Sequence, residues 1–223
     1  MSVKLTPAEM AKYIDHTYLK PQASLSDIRR ICDEAKAMNT ASVCVNPSYI
    51  KFVAQELAGT DVTPCCVIGF PLGATTPNAK AFEAAEAVAN GAGEVDMVIN
   101  VGAVKSGDWA LVERDIAAVV TAVDGEAKVK VIIETCLLTD EEKIKVCEAV
   151  SRSDADYIKT STGFAGGGAT REDVKLMVEH CKGKLVKAAG GIADLKDAED
   201  FLALGADRLG TSRIVKAVKA LEK

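Results

Sequence analysis

Short runs of β-branched and aliphatic residues alternate with longer Ala/Glu/Lys-rich amphipathic stretches along the whole chain, eight times over. A strand followed each time by a helix-length segment must cross over before the next strand, and such connections make a parallel sheet. The strand-like runs lie at 13–17, 42–45, 63–68, 94–99, 128–134, 156–159, 185–188 and 207–209. The amphipathic stretches lie at 25–38, 47–57, 79–90, 109–123, 140–151, 171–181, 195–204 and 212–220. Ser24 precedes the first of these, and Thr139 with Glu142 three residues later reads as a capping box. Gly91, Gly183 and Gly205 stand where helices should stop. Eight units in 223 residues, with no linker or low-complexity segment, predict a single domain over 1–223, an α/β (β/α)8 TIM barrel with few insertions. A doubly wound open sheet is the alternative, but no G-x-G-x-x-G turn follows the first run to make it a dinucleotide-binding one.

Composition narrows the function. Hydrophobic residues make up 48% but aromatics only 4%, so Ala, Val, Ile and Leu must fill the core. A net charge of -5 argues against a general nucleic-acid binder while leaving room for a small basic pocket. Seven scattered cysteines without a CxxC read as reduced thiols rather than a disulfide framework. The two histidines, His16 and His180, are far apart and in no ligand spacing, so no metal site is expected. No stretch approaches the ~18 apolar residues of a membrane span, and the first residues carry no signal-peptide core. A cytoplasmic protein with no membrane partner is expected.

Two lysines then stand out. Lys159 follows the apolar pair Tyr157-Ile158 and precedes Thr-Ser-Thr-Gly; Lys187 follows Leu185-Val186 and precedes Ala-Ala-Gly-Gly. An ammonium at the end of a buried strand costs free energy unless something pairs with it or uses it. Barrel enzymes gather their chemistry at the C-terminal strand ends, and those ends here carry Asp15, Thr17, Cys44, Asp96, Glu134, Lys159 and Lys187. Neighbouring parallel strands lie about 4.8 Å apart, so two inward lysines on consecutive strands should repel each other and lower one pKa. A shift of two units would raise the free-amine fraction roughly a hundredfold. A neutral amine attacks an aldehyde or ketone carbonyl and forms a Schiff base, which makes or breaks a carbon–carbon bond without a metal. Asp96, alone in an apolar strand, is the candidate proton shuttle. Asp15, Thr17 and Glu134 are candidates for a relay or for holding the lysines and threonines in place. Charge repulsion is symmetric in the pair and does not name the nucleophile. The plainer alternative is a lysine stem that snorkels to solvent at a strand end, with Asp96 a structural partner. His16 reads as a satisfied structural histidine, and Cys44 as a small hydrophobe or a thiol facing the pocket.

Small-residue turns follow strands six, seven and eight: Gly163 through Gly168, Gly190-Gly191, and Gly210-Thr211-Ser212. Such turns let backbone amides approach an anion, and barrels often hold a phosphate at the loops after strands seven and eight.

The strings IDHTYLKP at 14–21, GFPLGATT at 69–76, GAGEVDMVINVGAVKSG at 91–107, VIIET at 131–135, YIKTSTGFAGGGAT at 157–170, VKAAGGI at 186–192 and ADRLGTS at 206–212 resemble deoxyribose-phosphate aldolase, a class I aldolase family. They run in order from the first strand to the last. The resemblance implies reversible cleavage of 2-deoxy-D-ribose 5-phosphate to glyceraldehyde 3-phosphate and acetaldehyde, in deoxyribonucleoside catabolism. It implies Lys159 as the Schiff-base lysine, Lys187 as the lysine that perturbs it and assists proton transfer, and Asp96 as part of the proton relay. It implies a phosphate site matching Gly163, Gly190, Gly191 and Ser212, no metal or organic cofactor, and a homodimer. Two departures are visible. Ala193 follows the GGI turn where family members often carry arginine, and the last tyrosine is Tyr157, whereas some members end in a tail with a terminal tyrosine that reaches the site. The competing expectations are another lysine-dependent aldolase or transaldolase acting on a different sugar phosphate, and a non-catalytic phosphosugar-binding barrel.

Overall fold

The computed structural model describes residues 5–215. In chain order its elements are α1 (Pro7–Ala11), β1 (Ile14–Tyr18), α2 (Leu25–Met38), β2 (Ser42–Val45), α3 (Ile50–Glu56), β3 (Thr63–Ile68), α4 (Pro77–Ala89), β4 (Glu94–Val98), α5 (Val101–Lys105), α6 (Trp109–Val123), β5 (Lys128–Ile132), α7 (Asp140–Arg152), β6 (Tyr157–Lys159), α8 (Arg171–His180), β7 (Leu185–Ala189), α9 (Leu195–Ala203) and β8 (Arg208–Thr211). All strand pairings are parallel, and β1 pairs with both β2 and β8, which closes an eight-stranded barrel. The open-sheet alternative is thereby excluded.

Local chemistry sets the helix starts. The Ser24 hydroxyl accepts from the Asp27 amide while the Asp27 carboxylate accepts from the Ser24 amide, and Thr139 with Glu142 repeats this at α7. Each satisfies backbone donors that the first turn leaves orphaned. Apolar residues at helical spacing then turn one face inward; on α2 these are Ile28, Ile31, Cys32 and Ala35. The layer between strands and helices is built almost wholly of Val, Ile, Leu and Ala, as the low aromatic content requires.

Differences from the sequence reading fall at strand ends and in short helices. The fifth strand stops at Ile132 instead of reaching 134, because Glu134 adopts a φ of 53° and turns the chain into a 3-10 turn over Thr135–Leu137. The eighth strand runs on to Thr211. The helices α1 and α5 were not anticipated: five residues show no apolar period, although Thr6 with Pro7, and Asn100, supply their caps. Of the predicted helix at 212–220, residues from 216 onward lie outside the described residues, as does the chain end 220–223.

Buried polar contacts fix the loop ends of β3 and β4. Lys80 on α4 donates to the Val98 carbonyl at 2.7 Å and to Asp115 Oδ2 on α6 at 2.5 Å, and the same Asp115 oxygen accepts from the Asn100 amide at 3.1 Å. Glu83 accepts from the Gly69 amide at 2.6 Å. Gly73 lies against the end of β4, with a φ of 65° and its open side facing the Ile99 carbonyl oxygen, where a Cβ would stand only 1.9 Å away. Gly73→Ala is therefore expected to lower stability by at least about 2 kcal/mol, through backbone strain together with displacement of β4. Denaturant unfolding of the two proteins measures this.

Candidate active site

Inside a barrel, side chains of alternate residues point inward, and branched apolar residues usually fill the space. Here the interior is charged. Lys130, Lys159, Lys187 and Arg208 face the carboxylates of Asp15, Glu94 and Asp96, and all seven are buried. Strand register brings them together. Asp96 lies opposite Lys130, Lys159 opposite Lys187, and Lys187 opposite Arg208.

Asp96 is the hub. Its Oδ2 accepts from Lys159 Nζ at 2.8 Å and from Lys187 Nζ at 2.6 Å, and its Oδ1 accepts from Lys130 Nζ at 2.7 Å. Asp15 forms a second centre, paired with Lys187 and with Arg208 Nη1, the latter at 2.6 Å, and accepting from Ser42 Oγ at 2.7 Å. Lys130 also meets Glu94 at 2.6 Å, and Arg208 spans Glu94, Asp15 and the Tyr157 hydroxyl.

Burial opposes charge on Asp96, but the Lys130, Lys159 and Lys187 ammoniums outweigh it and hold the carboxyl well below its ordinary range. Asp15 is likewise held down against burial by Lys187, Lys130 and Arg208. For Lys187, burial favours the neutral amine, yet Asp15 and Asp96 outweigh burial and keep its ammonium above the usual lysine range. Lys130 is raised in the same way, chiefly by Asp96. The sequence predicted two amines in mutual repulsion. Instead a shared carboxylate oxygen stands between them, and Lys187 is a persistent cation.

The geometry also removes the symmetry of the pair. Lys159 has one carboxylate contact, Lys187 has two, and Lys130 has three. A cavity of about 300 Å³ opens at the C-terminal strand ends, and of the three interior lysines Lys159 alone lines it. Thr17, Gly163, Gly190, Gly191 and Ser212 line the same cavity. Gly190 has a φ of 80° and packs against Gly168, where a Cβ would lie 2.6 Å from the Gly190 carbonyl carbon. That approach lets the Ala169 amide reach the Gly190 carbonyl at 3.0 Å and brings the loop after β6 against the turn after β7.

Each remaining sequence candidate has a place. Thr17 donates to the Asp15 carbonyl at 2.8 Å. Glu134 accepts from both the hydroxyl and the amide of Thr162, and so anchors the loop that follows Lys159. Its left-handed backbone is strained for a non-glycine residue, as is common where a site dictates geometry. His16 points away from the cavity and pairs with Glu34 at 2.8 Å. Cys44 is buried beside Cys65 and Val67. Lys130, Arg208 and Glu94 were not singled out from the sequence. Strand parity was the available signal, since Glu94 and Asp96 share a face, as do Lys128 and Lys130. The exposed Lys128 makes that strand read as half-solvated.

Fold and site together define a class: a (β/α)8 enzyme equipped for amine chemistry on a small carbonyl compound. The chain belongs to the DeoC/LacD family aldolases, whose family model matches residues 9–207. It is 57% identical over 209 residues to the deoxyribose-phosphate aldolase of Clostridium novyi (strain NT), covering 93% of this chain and 94% of that one. It is 54% identical over 212 residues to the deoxyribose-phosphate aldolase of Clostridium tetani (strain Massachusetts / E88), covering 95% and 98%. Among solved structures, one from Coccidioides immitis superposes with a TM-score of 0.94 at 42% identity, covering 98% of this chain and 88% of that chain. The tetrameric deoxyribose phosphate aldolase of Aeropyrum pernix gives 0.89 at 32% identity, covering 98% and 93%.

Proposed function

We propose that this protein is a class I aldolase that reversibly cleaves 2-deoxy-D-ribose 5-phosphate to D-glyceraldehyde 3-phosphate and acetaldehyde, in deoxyribonucleoside catabolism. The observation that carries the mechanistic reading is Lys159: a buried lysine amine, on a single carboxylate, at the floor of an open cavity. Full-length relatives named for this activity support the substrate.

Lys159 Nζ attacks the C1 aldehyde of the open-chain sugar and gives a carbinolamine, which loses water to form a protonated imine. To attack, Lys159 must shed its proton. Lys187, a persistent cation, shares the same Asp96 oxygen with Lys159. The imine is an electron sink. Removal of the C3 hydroxyl proton breaks the C2–C3 bond, releases glyceraldehyde 3-phosphate, and leaves the enamine of acetaldehyde on Lys159. Protonation at C2 and hydrolysis of the imine return the amine. Asp96 passes the protons, since its two oxygens touch all three lysines. Asp15 orients Lys187, with Thr17 fixing the Asp15 backbone and Glu134 fixing the loop that carries Thr162. Gly163, Gly190, Gly191 and Ser212 hold the phosphate by their backbone amides and hydroxyl.

The chain acts as one catalytic domain over 1–223, in the cytoplasm, as a homodimer; among the described residues no helix is long and apolar enough to cross a membrane. The A. pernix tetramer establishes assembly for that relative only, and light scattering measures it here. The activity is tested by supplying 2-deoxyribose 5-phosphate and detecting both aldehydes. Release of acetaldehyde in step with glyceraldehyde 3-phosphate is expected. Turnover of a different sugar phosphate, with none of this one, would contradict the reading.

A further inference from the structure

The charges lining the cavity are all of one sign. Lys20, Lys159 and Arg213 line it and no carboxylate does, although the chain carries 32 acidic against 27 basic residues. Lys159 is held by Asp96. Lys20 and Arg213 are both exposed, and among the described residues neither forms a salt bridge. Some other exposed cations are paired, as Arg171 is with Asp197 and Asp200 and Lys105 is with Glu142. Two cations with no salt bridge among the described residues, at the rim of one cavity, hold a field that a dianion would satisfy.

Their positions follow from barrel closure. Lys20 stands two residues past the end of β1, and Arg213 two residues past the end of β8. Those strands are hydrogen-bonded neighbours, with His16 opposite Thr211. The Arg213 amide donates to Thr211 Oγ1 at 3.1 Å, which fixes the backbone that projects the guanidinium. Gly190, Gly191 and Ser212 line the same cavity. These groups offer amides and a hydroxyl but no full charge. The neighbouring turn adds none, for Ala193 is exposed and does not line the cavity.

We propose that Arg213, assisted by Lys20, is the specificity-determining cation of this enzyme and sets its preference for phosphorylated over unphosphorylated deoxy sugars. This rests on the aldolase reading above. A guanidinium meets a phosphate with two parallel hydrogen bonds, whereas lysine acts as a point charge. The phosphate is remote from the bond that breaks, so the preference is expressed mainly in KM.

The test compares kcat/KM for 2-deoxyribose 5-phosphate and for 2-deoxyribose in the wild type, Arg213→Ala, Arg213→Lys and Lys20→Ala. The ratio of the two constants should fall about tenfold or more in Arg213→Ala, the loss expected for one charge-assisted hydrogen bond. It should recover in part in Arg213→Lys and fall less in Lys20→Ala. Thermal stabilisation by inorganic phosphate should weaken in the same order, and this needs no turnover. A wild type that prefers the phosphorylated sugar, alongside an Arg213→Ala variant that keeps that preference within twofold, would overturn the assignment alone. A wild type with no preference would overturn it together with the substrate reading.

Discussion

Lys159→Leu is expected to lower kcat/KM for 2-deoxyribose 5-phosphate by at least about 10⁴-fold, because in the proposed mechanism it removes the amine that forms the imine. The fold should survive. The leucine enters a site that is already nearly closed to solvent, and the removed ammonium has one carboxylate partner, Asp96, which keeps Lys130 and Lys187. Single-turnover kinetics with unfolding curves for the same protein separate the two effects. A variant that keeps a tenth of wild-type turnover would show that another group forms the imine. Lys187 is the candidate the sequence leaves open, but it is fully buried and does not line the cavity.

Asp96→Ala carries the other large effect, and it acts on stability as well as on rate. The carboxylate neutralises three buried ammoniums at once. Removing one partner of a buried pair costs about 3–5 kcal/mol, because the charge left behind has no solvent to turn to. In the proposed mechanism the proton relay goes with it, at a further cost of about 10²–10⁴-fold in kcat. The pH dependence identifies the source of the loss. Asp96 and Asp15 titrate lower in the folded chain than in the unfolded one. Their stabilisation is complete above the ordinary carboxylate range, about pH 4 to 5, and is lost as pH falls below it toward the depressed folded values. Lys130 and Lys187 titrate higher when folded. Their contribution is complete below about pH 10 and is lost as pH rises above it. The wild type should therefore be evenly stable between about pH 5 and 10. The gap between wild type and Asp96→Ala should narrow in acid, where the wild-type carboxylate is protonated too. A gap that stays constant down to about pH 2 would mean that packing, not charge, carries the effect.

Much of this site is legible in the sequence because charged residues interrupt apolar runs at the loop end of predicted strands. Lys159 after Tyr157-Ile158, Lys187 after Leu185-Val186, and Asp96 inside EVDMV are visible in that way. Lys130 is not, since KVKVI alternates as a half-exposed strand would, and only barrel closure puts its second lysine inside. Arg208 hides in a polar turn for the same reason. The repulsion expected between Lys159 and Lys187 was drawn from strand spacing alone. Register was right, but what fills the space between two amines depends on a third strand, β4, whose Asp96 reaches across the interior. Pairwise sequence logic holds two strands at a time, whereas a closed barrel sets all eight against one another. Strand spacing alone leaves the nucleophile open for a related reason, and only the resemblance around Lys159 names it. Its identity depends on which amine meets the cavity, and the loops after β6, β7 and β8 decide that by where they leave an opening.

Borohydride trapping in the presence of acetaldehyde, followed by peptide mass mapping, tests the assignment of the nucleophile most directly. Reduction of the imine leaves a stable ethyl group on the lysine that formed it. The adduct is expected on Lys159, and it should still form on Lys159, more slowly, when Lys187 is replaced by leucine. An adduct on Lys187 or Lys130, or none on any lysine of an enzyme that is turning over, would contradict the account.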